Sequence, residues 1–471
     1  MLPVRSLYSV YPSVYPADKV SKVTIAPLER VFCFLEGAEY SISVASVNTD
    51  EENYYLPKCK TTFGVVAKNG VIEFEYLFAD EQEHLIILEK EGVQVERFFV
   101  YSLKEDLYSL RPLKADFHAH SYRSDGGRDP AALAGYYREQ GYDCFALTDH
   151  NRFYPSGEIR EVYEGVDTGL TLVSGEEVHA PPSTVHIVHI GGDKSVCDQY
   201  FRHPEEYNAE VERDYIPRVP AGIPDKYVGR YARSLWVSDK IHEAGGLAIF
   251  AHPYWRPSDL VYNTCDEFAK ILLMSGMFDA YELVGGMKQK GTNRSINLWS
   301  ELRAEGLKIS VVGSSDVHKI EHSIDFPFLF TICFAPDKSE SEIVRSVKEG
   351  RSVAVEANGT DEYARQFRAY GALRYVSYAQ YLLEHYFPKY ERYCEGIGVS
   401  MRAYAMGDAP AQLVEMNAQL AERFSSRFFG CLEPLAPSKE ILDFEDKWRA
   451  VQLDGPLSKG GNINGAANRR I

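Results

Sequence analysis

The sequence has no CxxC pair, although it contains eight cysteines, which lie singly between Cys33 and Cys431. This arrangement argues against a cysteine-based zinc site and against a thioredoxin-like motif. No apolar run approaches the roughly 18 residues of a membrane span, and the N-terminus lacks the apolar segment of a signal peptide. We therefore predict reduced cysteines, no membrane partner and a cytoplasmic location.

Basic residues are scarce relative to acidic ones: 51 Lys and Arg stand against 68 Asp and Glu, for a formal net charge of −17. An extended nucleic-acid footprint needs clustered Lys and Arg, so we expect no nucleic-acid partner. A small phosphorylated substrate is compatible with this charge because a bound metal ion supplies positive charge of its own.

Three regions follow one another along the 471 residues. Residues 1–112 contain β-branched and aromatic segments separated by turns, which indicates a β-rich, sandwich-like domain. Residues 113–357 alternate strands and helices in about seven units, which predicts parallel strands in a barrel or an open sheet. Residues 358–471 are typical of a helical extension that could mediate homo-oligomer formation, with a disordered tail from about residue 455.

Local signals mark particular elements of the central region. Asp129 followed by Pro130 predicts the N-cap and first position of a helix. Ser339 and Glu342 have the spacing of a capping box at the start of another helix. Residues 191–229 are rich in proline and charge, which predicts a long loop that acts as a lid or substrate wall.

Histidines and carboxylates cluster at the predicted strand ends of this region, where parallel α/β folds gather their functional groups. Six segments place such side chains there: DFHAH, TDH, GEEV, VHIVH, AHP and SDVH. Residues i and i+2 of a strand face one side, so His118 and His120 can share a metal ion, and Asp316 and His318 repeat this spacing. Glu177 is the natural carboxylate to bridge two cations, and this donor chemistry suits Zn²⁺, Mn²⁺ or Fe²⁺.

Other polar residues need separate interpretation. His186 and His189 are three positions apart on one strand, so at most one faces the site, and we favour His186. His179 is a candidate proton donor to a leaving group, and Asp149 a candidate to orient a metal ligand. Isolated histidines that join no motif are interpreted as structural: His84, His203, His242 and His385.

Taken together, these motifs resemble the PHP family (polymerase and histidinol phosphatase domain) of metal-dependent phosphoesterases. DFHAHSYRSDG resembles the opening HxH motif, with Asp125 as the acidic residue before glycine. ALTDHN, SGEEV, VHIVHIGG, FAHP and GSSDVH resemble the remaining motifs, so the match covers residues 114–356. With its preceding β domain, the chain is also similar to the subgroup of carbaryl-type amidohydrolases (CehA/McbA-like). The resemblance implies a distorted (β/α)7 barrel with two or three metal ions at its carboxyl rim.

The family's ligand positions, carried over residue by residue, imply three sets. The first metal would take His118, His120, Glu177 and Asp316; the second would share Glu177 and add His186 and His252; the third would take Asp125, His150 and His318. Glu177, Asp316 and His318 are the residues that we assign to catalysis.

The implied reaction is hydrolysis of a small phosphorylated substrate by a metal-activated water. Arg123, Arg256 and Lys288 follow predicted strand ends and are candidate cations for the phosphate. Two alternatives stay open: the same metal site could hydrolyse an amide, carbamate or ester, or the chain could be a metal-stabilised binding or scaffold protein without catalysis.

Overall fold

A computed structural model describes residues 6–49, 60–323, 325–358, 366–434 and 436–454. The chain divides into two compact units, one formed by residues 1–109 with 423–471 and the other by residues 110–422. The tail predicted to be disordered from about residue 455 lies outside the described residues. Within the described part, no helix is both long and apolar enough to cross a membrane.

The N-terminal part of the first unit is built from two sheets. Its elements are β1 (Tyr8–Tyr11), β2 (Val14–Pro16), β3 (Val20–Pro27), β4 (Glu39–Ser46), β5 (Lys60–Val66), β6 (Ile72–Leu77), β7 (Gln82–Lys90), β8 (Val93–Leu103) and α1 (Glu105–Tyr108). One sheet has the strand order β1-β3-β6 and the other β2-β8-β7-β4-β5. Ile25 and Ile72 from the first and Ile42 and Ile86 from the second belong to one buried apolar cluster, so the two sheets share a core.

The second unit is organised around one ten-stranded sheet. Its strands are β9 (Arg111–Asp116), β10 (Cys144–Leu147), β11 (Thr171–Val178), β12 (Ile187–Ile190), β13 (Leu247–Phe250), β14 (Ala280–Val284), β15 (Ser310–Gly313), β16 (Leu329–Ala335), β17 (Ser352–Asn358) and β18 (Gln366–Tyr370). Their order is β15-β14-β13-β12-β11-β10-β9-β16-β17-β18.

The helices of this unit cover the sheet and connect its strands. They are α2 (Pro130–Glu139), α3 (Pro155–Val162), α4 (Cys197–Arg202), α5 (Pro204–Glu210), α6 (Asp225–Glu243), α7 (Asp266–Met274), α8 (Gln289–Ala304), α9 (Glu340–Lys348), α10 (Leu373–His385) and α11 (Phe387–Ala405). Two more follow: α12 (Ala411–Phe428), which is in this unit as far as residue 422, and α13 (Lys439–Asp454) in the first unit.

The ten-stranded sheet curls into a nearly closed barrel. Ser352 on β17 donates its hydroxyl hydrogen to the carbonyl of Val311 on β15 at 2.8 Å. The amide of Gly313 on β15 donates to the Thr331 hydroxyl on β16 at 3.0 Å. These bonds join the β15 edge to strands on the opposite side of the sheet order. The mixed α/β, barrel-like class is therefore confirmed, but a seven-unit (β/α)7 arrangement is not.

The prediction of parallel strands is confirmed only in part. β9, β10 and β11 pair in parallel, as do β13, β14 and β15, but β12 is antiparallel to both of its neighbours. β16 is antiparallel to β9 and β17. The connection between β11 and β12 spans only residues 179–186, which is too short for the crossover of a dozen or more residues that parallel neighbours need.

Both predicted helix starts are confirmed. The Asp129 side chain accepts hydrogen bonds from the second and third amides of α2, and Pro130 is the first helical residue. Ser339 caps α9 by accepting from the Glu342 amide. The predicted loop at 191–229 was wrong, because α4, α5 and the start of α6 occupy much of it.

Candidate metal centre

The polar motif residues lie at one rim of the barrel, at the carboxyl ends of the parallel strands and at the amino end of the antiparallel β12. His118 and His120 follow β9, His150 follows β10, and Glu177 is near the end of β11. His186 directly precedes β12, while His252 and Asp316 lie just beyond β13 and β15. The barrel therefore brings together side chains that are almost 200 residues apart in the sequence, such as His120 and Asp316.

Glu177 is at the centre of the cluster, and its Oε2 atom belongs to a set of four donors. This atom lies 3.3 Å from His118 Nε2 and 3.4 Å from His120 Nε2. Asp316 Oδ1 lies 3.3 and 3.0 Å from the same two nitrogens. A tetrahedral ion with ligands at about 2.0–2.1 Å requires ligand separations of roughly 3.3–3.4 Å. These four separations therefore match the spacing of a metal coordination shell, and the donor atoms of His118, Glu177 and Asp316 also form a group with that of His252, all within 4.8 Å of one another.

The other carboxylate oxygen of Glu177 faces different imidazoles. Its Oε1 atom lies 3.1 Å from His252 Nε2 and 2.7 Å from His186 Nδ1. His179 Nε2 is also close, at 3.4 Å. One buried carboxylate can therefore serve two cations, one at each oxygen.

A third group is formed by Asp125, His150 and His318. The Asp125 carboxylate lies 3.5 Å from His150 Nε2 and 3.4 Å from His318 Nε2. The donor atoms of these residues and of His120 lie within 4.8 Å of one another. His150 also reaches the central carboxylate, since its Nδ1 atom is 2.7 Å from Glu177 Oε2.

Several of these donor atoms are close to each other without being hydrogen bonded. His118 Nε2, His150 Nδ1, His186 Nδ1 and Glu177 Oε2 are buried and have no hydrogen-bond partner among the described residues. Buried polar atoms normally have partners, because an unpaired one costs desolvation free energy. Lone pairs that converge on a common point rather than on each other fit a divalent cation.

The electrostatics of the cluster favour cation binding. Burial raises the pKa of Glu177, but the surrounding imidazoles, His118 first, outweigh burial and hold this pKa well below its usual range. Burial lowers the pKa of His120 and of His186 to about 4. A ligand carboxylate must be ionised and a ligand imidazole neutral. These three groups therefore have the protonation states that a metal requires.

Protons and metal ions compete at other imidazoles of the cluster. Burial lowers the pKa of His118 and of His252, but the surrounding carboxylates outweigh burial and raise the pKa of both. The same competition occurs in the third group. Burial lowers the pKa of His150, but Asp125 and Glu177 outweigh it and raise the pKa to about 10. The pKa of His318 rises to about 9 because Asp125 and Asp316 likewise outweigh burial. Metal binding there would release protons.

Glu282 contacts the cluster through His118, and the sequence motifs did not identify it. Its Oε2 atom accepts a hydrogen bond from His118 Nδ1 at 2.8 Å, and both side chains are buried. This bond fixes the tautomer that leaves the Nε2 lone pair of His118 free for a metal. The available signal was a carboxylate inside the buried strand AYELV. Asp149, predicted to orient a ligand, instead accepts hydrogen bonds from Ser121 and Ser124.

The backbone at the rim is shaped to bring ligands together. Asp316 has a φ of 49°, an uncommon conformation for a residue with a side chain. Gly286 has a φ of +57°, and a Cβ atom there would lie 2.6 Å from the His252 ring and 2.8 Å from Asp316 Oδ2. Only glycine leaves room for these two ligands.

The three predicted phosphate-binding cations lie in different surroundings. Arg123 forms an ion pair with Glu158 at 2.8 Å. Arg256 and Lys288 line a cavity of about 300 Å³ that also includes Gly286, next to the ligands His252 and Asp316. The cavity is further lined by Tyr254, Trp255, Asp259, Met287, Lys290, Gly291 and Asp325. Lys288 pairs with Asp259 at 2.5 Å.

The remaining histidines lie in different surroundings. His189 lies near Glu176, 3.1 Å away, and points away from the cluster, while His186 lies within it. His84 is buried and shares a hydrogen bond with Ser102. His179, which has no place in the family pattern, belongs to a group with His150 and Glu177 whose donor atoms lie within 4.8 Å of one another.

Comparisons with known proteins gave few matches. No family model matches the chain. A 5'-3' exoribonuclease of Haemophilus influenzae is 26% identical over 34% of this chain and 74% of its own length.

Several solved structures are similar to part of this chain. A two-domain protein of Bacteroides vulgatus with a predicted PHP-like metal-dependent phosphoesterase is 19% identical, with a TM-score of 0.36 over 56% of this chain and 77% of that one. A putative metal-dependent phosphoesterase of Bifidobacterium adolescentis is 20% identical, with a TM-score of 0.31 over 43% and 87%. An amidohydrolase of Chromobacterium violaceum is 18% identical, with a TM-score of 0.30 over 45% and 89%. PHP-like metal-dependent phosphoesterases are thus among the structures to which this chain is similar.

Proposed function

We propose that this chain is a metal-dependent phosphoesterase of the PHP family that hydrolyses a small phosphorylated substrate at the Glu177 cluster. The observation that carries this proposal is the position of the Glu177 carboxylate. It is buried, and each of its oxygens faces a separate set of imidazoles. A bridging carboxylate of this kind is what a two-metal hydrolytic site requires.

The residues that would hold the ions are those of the three groups described above. They are His118, His120, Asp125, His150, Glu177, His186, His252, Asp316 and His318. Two or three divalent ions, Zn²⁺, Mn²⁺ or Fe²⁺, would supply an activated water and stabilise charge on the phosphoryl oxygens.

The chain's own residues do the positioning. Glu177 and Asp316 would hold the ions through their carboxylates, and Glu282 fixes the orientation of His118. His318 and Asp125 lie at the more exposed side of the cluster, with 34% and 55% of their side chains accessible. This is the side from which a substrate can reach the buried carboxylate.

Phosphate chemistry is favoured over carbonyl chemistry by the neighbouring cavity. Arg256, Lys288 and Lys290 bring three cationic groups to its wall, and basic side chains suit an anionic phosphate. The Haemophilus relative is named for a reaction that breaks phosphodiester bonds, which also involves phosphorus. We propose a small substrate rather than a polynucleotide because the net charge of −17 disfavours a long phosphate backbone.

The first test is metal content combined with a substrate panel. The purified chain, reconstituted with Mn²⁺ or Zn²⁺, would be assayed on an aryl phosphate, an aryl carbamate and a short RNA. We expect two or more metal ions per chain and hydrolysis of the aryl phosphate. Glu177→Gln should lose both metal and activity.

Glu176→Gln is the matched control. Glu176 is equally buried, but it accepts hydrogen bonds from Ser195 and Val196 and contacts no residue of the cluster. Carbamate hydrolysis alone would favour the carbonyl alternative, and cleavage of RNA alone would favour a nuclease. A metal-loaded chain that is inactive on the whole panel would favour a scaffold. Absence of metal after reconstitution would overturn the proposal.

A further inference from the structure

His179 is placed like a metal ligand although the family pattern has no histidine there. It follows Glu177 by two positions at the end of β11, and residues i and i+2 of a strand face the same side. Its Nε2 atom lies 3.4 Å from Glu177 Oε1. The side chain is only 25% accessible.

The imidazole of His179 is held in this position by its neighbours. Its backbone amide donates to Asn151 Oδ1 at 3.2 Å, and the same oxygen accepts from the Tyr200 hydroxyl. Its ring stacks on His186 with a centroid separation of 3.7 Å. A side chain with these contacts is preorganised and loses little entropy when it binds a ligand.

The ring nitrogen that points into the cluster has no partner. His179 Nε2 is buried and makes no hydrogen bond with any residue that the structure describes. Its distance to Glu177 Oε1 is close to the 3.1 Å between that oxygen and His252 Nε2. One nitrogen of each of His179, His186 and His252 therefore lies within 3.4 Å of the same carboxylate oxygen, and of the three only His252 is hydrogen bonded to it.

We propose that His179 is a metal ligand, which adds an imidazole to the donor set around the Glu177 carboxylate, where its donor atom lies within 4.8 Å of those of His150 and Glu177. This inference rests on the proposed metal centre. Loss of an orienting partner of a ligand typically reduces metal affinity 10- to 100-fold. Loss of a ligand should lower metal affinity at least as much. We therefore expect removal of His179 to weaken the binding of one ion by tenfold or more.

The test uses the full chain and readouts other than activity. His179→Gln removes the imidazole, and His189→Gln is its matched control because His189 is also buried but lies beside Glu176, outside the cluster. Both variants would be dialysed against a graded series of chelator concentrations, and the metal remaining per chain would be measured. We expect His179→Gln to lose one ion at a chelator concentration at least tenfold lower than wild type, with His189→Gln unchanged.

A second variant keeps the proposal falsifiable if His179→Gln folds poorly. Carboxylates are also ligands of divalent cations, and a glutamate side chain is long enough to reach the position of the imidazole nitrogen, so His179→Glu should retain the ion that His179→Gln loses. Loss of that ion from folded His179→Glu, or wild-type metal retention in a folded His179→Gln, would overturn the proposal. If metal retention in His179→Gln is normal but the variant slows hydrolysis of an alcohol phosphate more than that of an aryl phosphate, whose better leaving group needs less protonation, His179 is instead a proton donor.

The outcome is separable from that of the proposed function. Metal retention reports ligation whether or not a phosphate ester is cleaved. A wild-type chain that binds ions but hydrolyses no phosphate would refute the phosphoesterase proposal and leave the assignment of His179 intact.

Discussion

The contact between Glu282 and His118 leads to a quantitative prediction about metal affinity. Glu282 Oε2 accepts from His118 Nδ1 at 2.8 Å, and neither side chain is exposed. Glu282→Leu would leave the Nδ1–H of His118 unpaired in a buried site and would free the ring to rotate or to change tautomer. Glu282→Gln would keep an acceptor oxygen while removing the charge.

The expected magnitude follows from measured effects of such partners. Replacing an orienting group typically lowers metal affinity 10- to 100-fold, which corresponds to about 1.4–2.7 kcal/mol at 25 °C. Because the site is fully buried, we expect Glu282→Leu to reach the upper part of this range. Glu282→Gln should lie at the lower part, since its amide oxygen can still accept the hydrogen bond.

The assay is a titration of metal-free protein with Mn²⁺ or Zn²⁺ in a metal buffer, with far-UV circular dichroism to show that the variants are folded. Glu176→Gln again controls for the loss of a buried carboxylate. If folded Glu282→Leu binds every ion as tightly as wild type does, the hydrogen bond does not orient His118 for metal binding, and the reasoning is refuted.

Two further predictions concern residues around the ligands. Gly286→Ala should destabilise the fold by about 1–3 kcal/mol through overpacking against His252 and Asp316. Gly276→Ala, with a similar φ but nothing within 4 Å, should cost less in the same urea titration, and equal losses would show that the ligands tolerate the new methyl group. Burial, followed by the charges of nearby carboxylates, raises the pKa of Asp325 from 3.8 to about 7. Ionisation of Asp325 therefore lowers the stability of the fold, progressively as the pH rises from 3.8 to 7 and fully above pH 7. Asp325→Asn in the metal-free chain should therefore raise the melting temperature more at pH 8 than at pH 5, and an equal gain at both would contradict the assigned shift.

The fold could be predicted where local signals determine the structure. Asp129 and Ser339 cap the helices at which they were expected, because N-capping depends on a side chain and the amides that follow it. Strand direction was predicted less well. β12 and β16 have the apolar composition of buried strands, and such composition does not distinguish parallel from antiparallel pairing.

The site was predicted more completely than the strand directions because its ligands come in motifs. The nine residues assigned to metal binding from those motifs all lie in the cluster of imidazoles and carboxylates at the barrel rim. Glu282 was not assigned because it stands alone in the sequence, and His179 was not assigned as a ligand because it lies outside the family pattern, although it follows Glu177 by two positions. Their roles depend on contacts with His118 and His186, which only the folded chain brings near.

The predicted phosphate-binding cations show a different limit. Arg123, Arg256 and Lys288 were chosen because each follows a predicted strand end. Whether such a cation can bind phosphate also depends on the carboxylates and carbonyl groups that face it. Arg123 is paired with Glu158, whereas Lys288 lies in the cavity beside Asp259. Because exposed ion pairs contribute little stability, Lys288 can exchange Asp259 for a substrate phosphate at small cost. Lys288 is therefore a stronger candidate for phosphate binding than Arg123, since it also lines the cavity next to the ligands.

In the proposed metal centre, metal affinity and folding stability depend on the same donor atoms. In the metal-free chain, Glu177 is buried among imidazoles whose ring nitrogens largely lack hydrogen bonds, and unpaired buried polar atoms oppose folding. Cations that bind only the folded chain stabilise it in proportion to their affinity and concentration. The same atoms therefore determine metal affinity and stability. Under the proposed function, substrate choice would instead depend on cavity residues such as Arg256 and Lys288, whose polar contacts are with Asp259 and Leu260 rather than with the ligands.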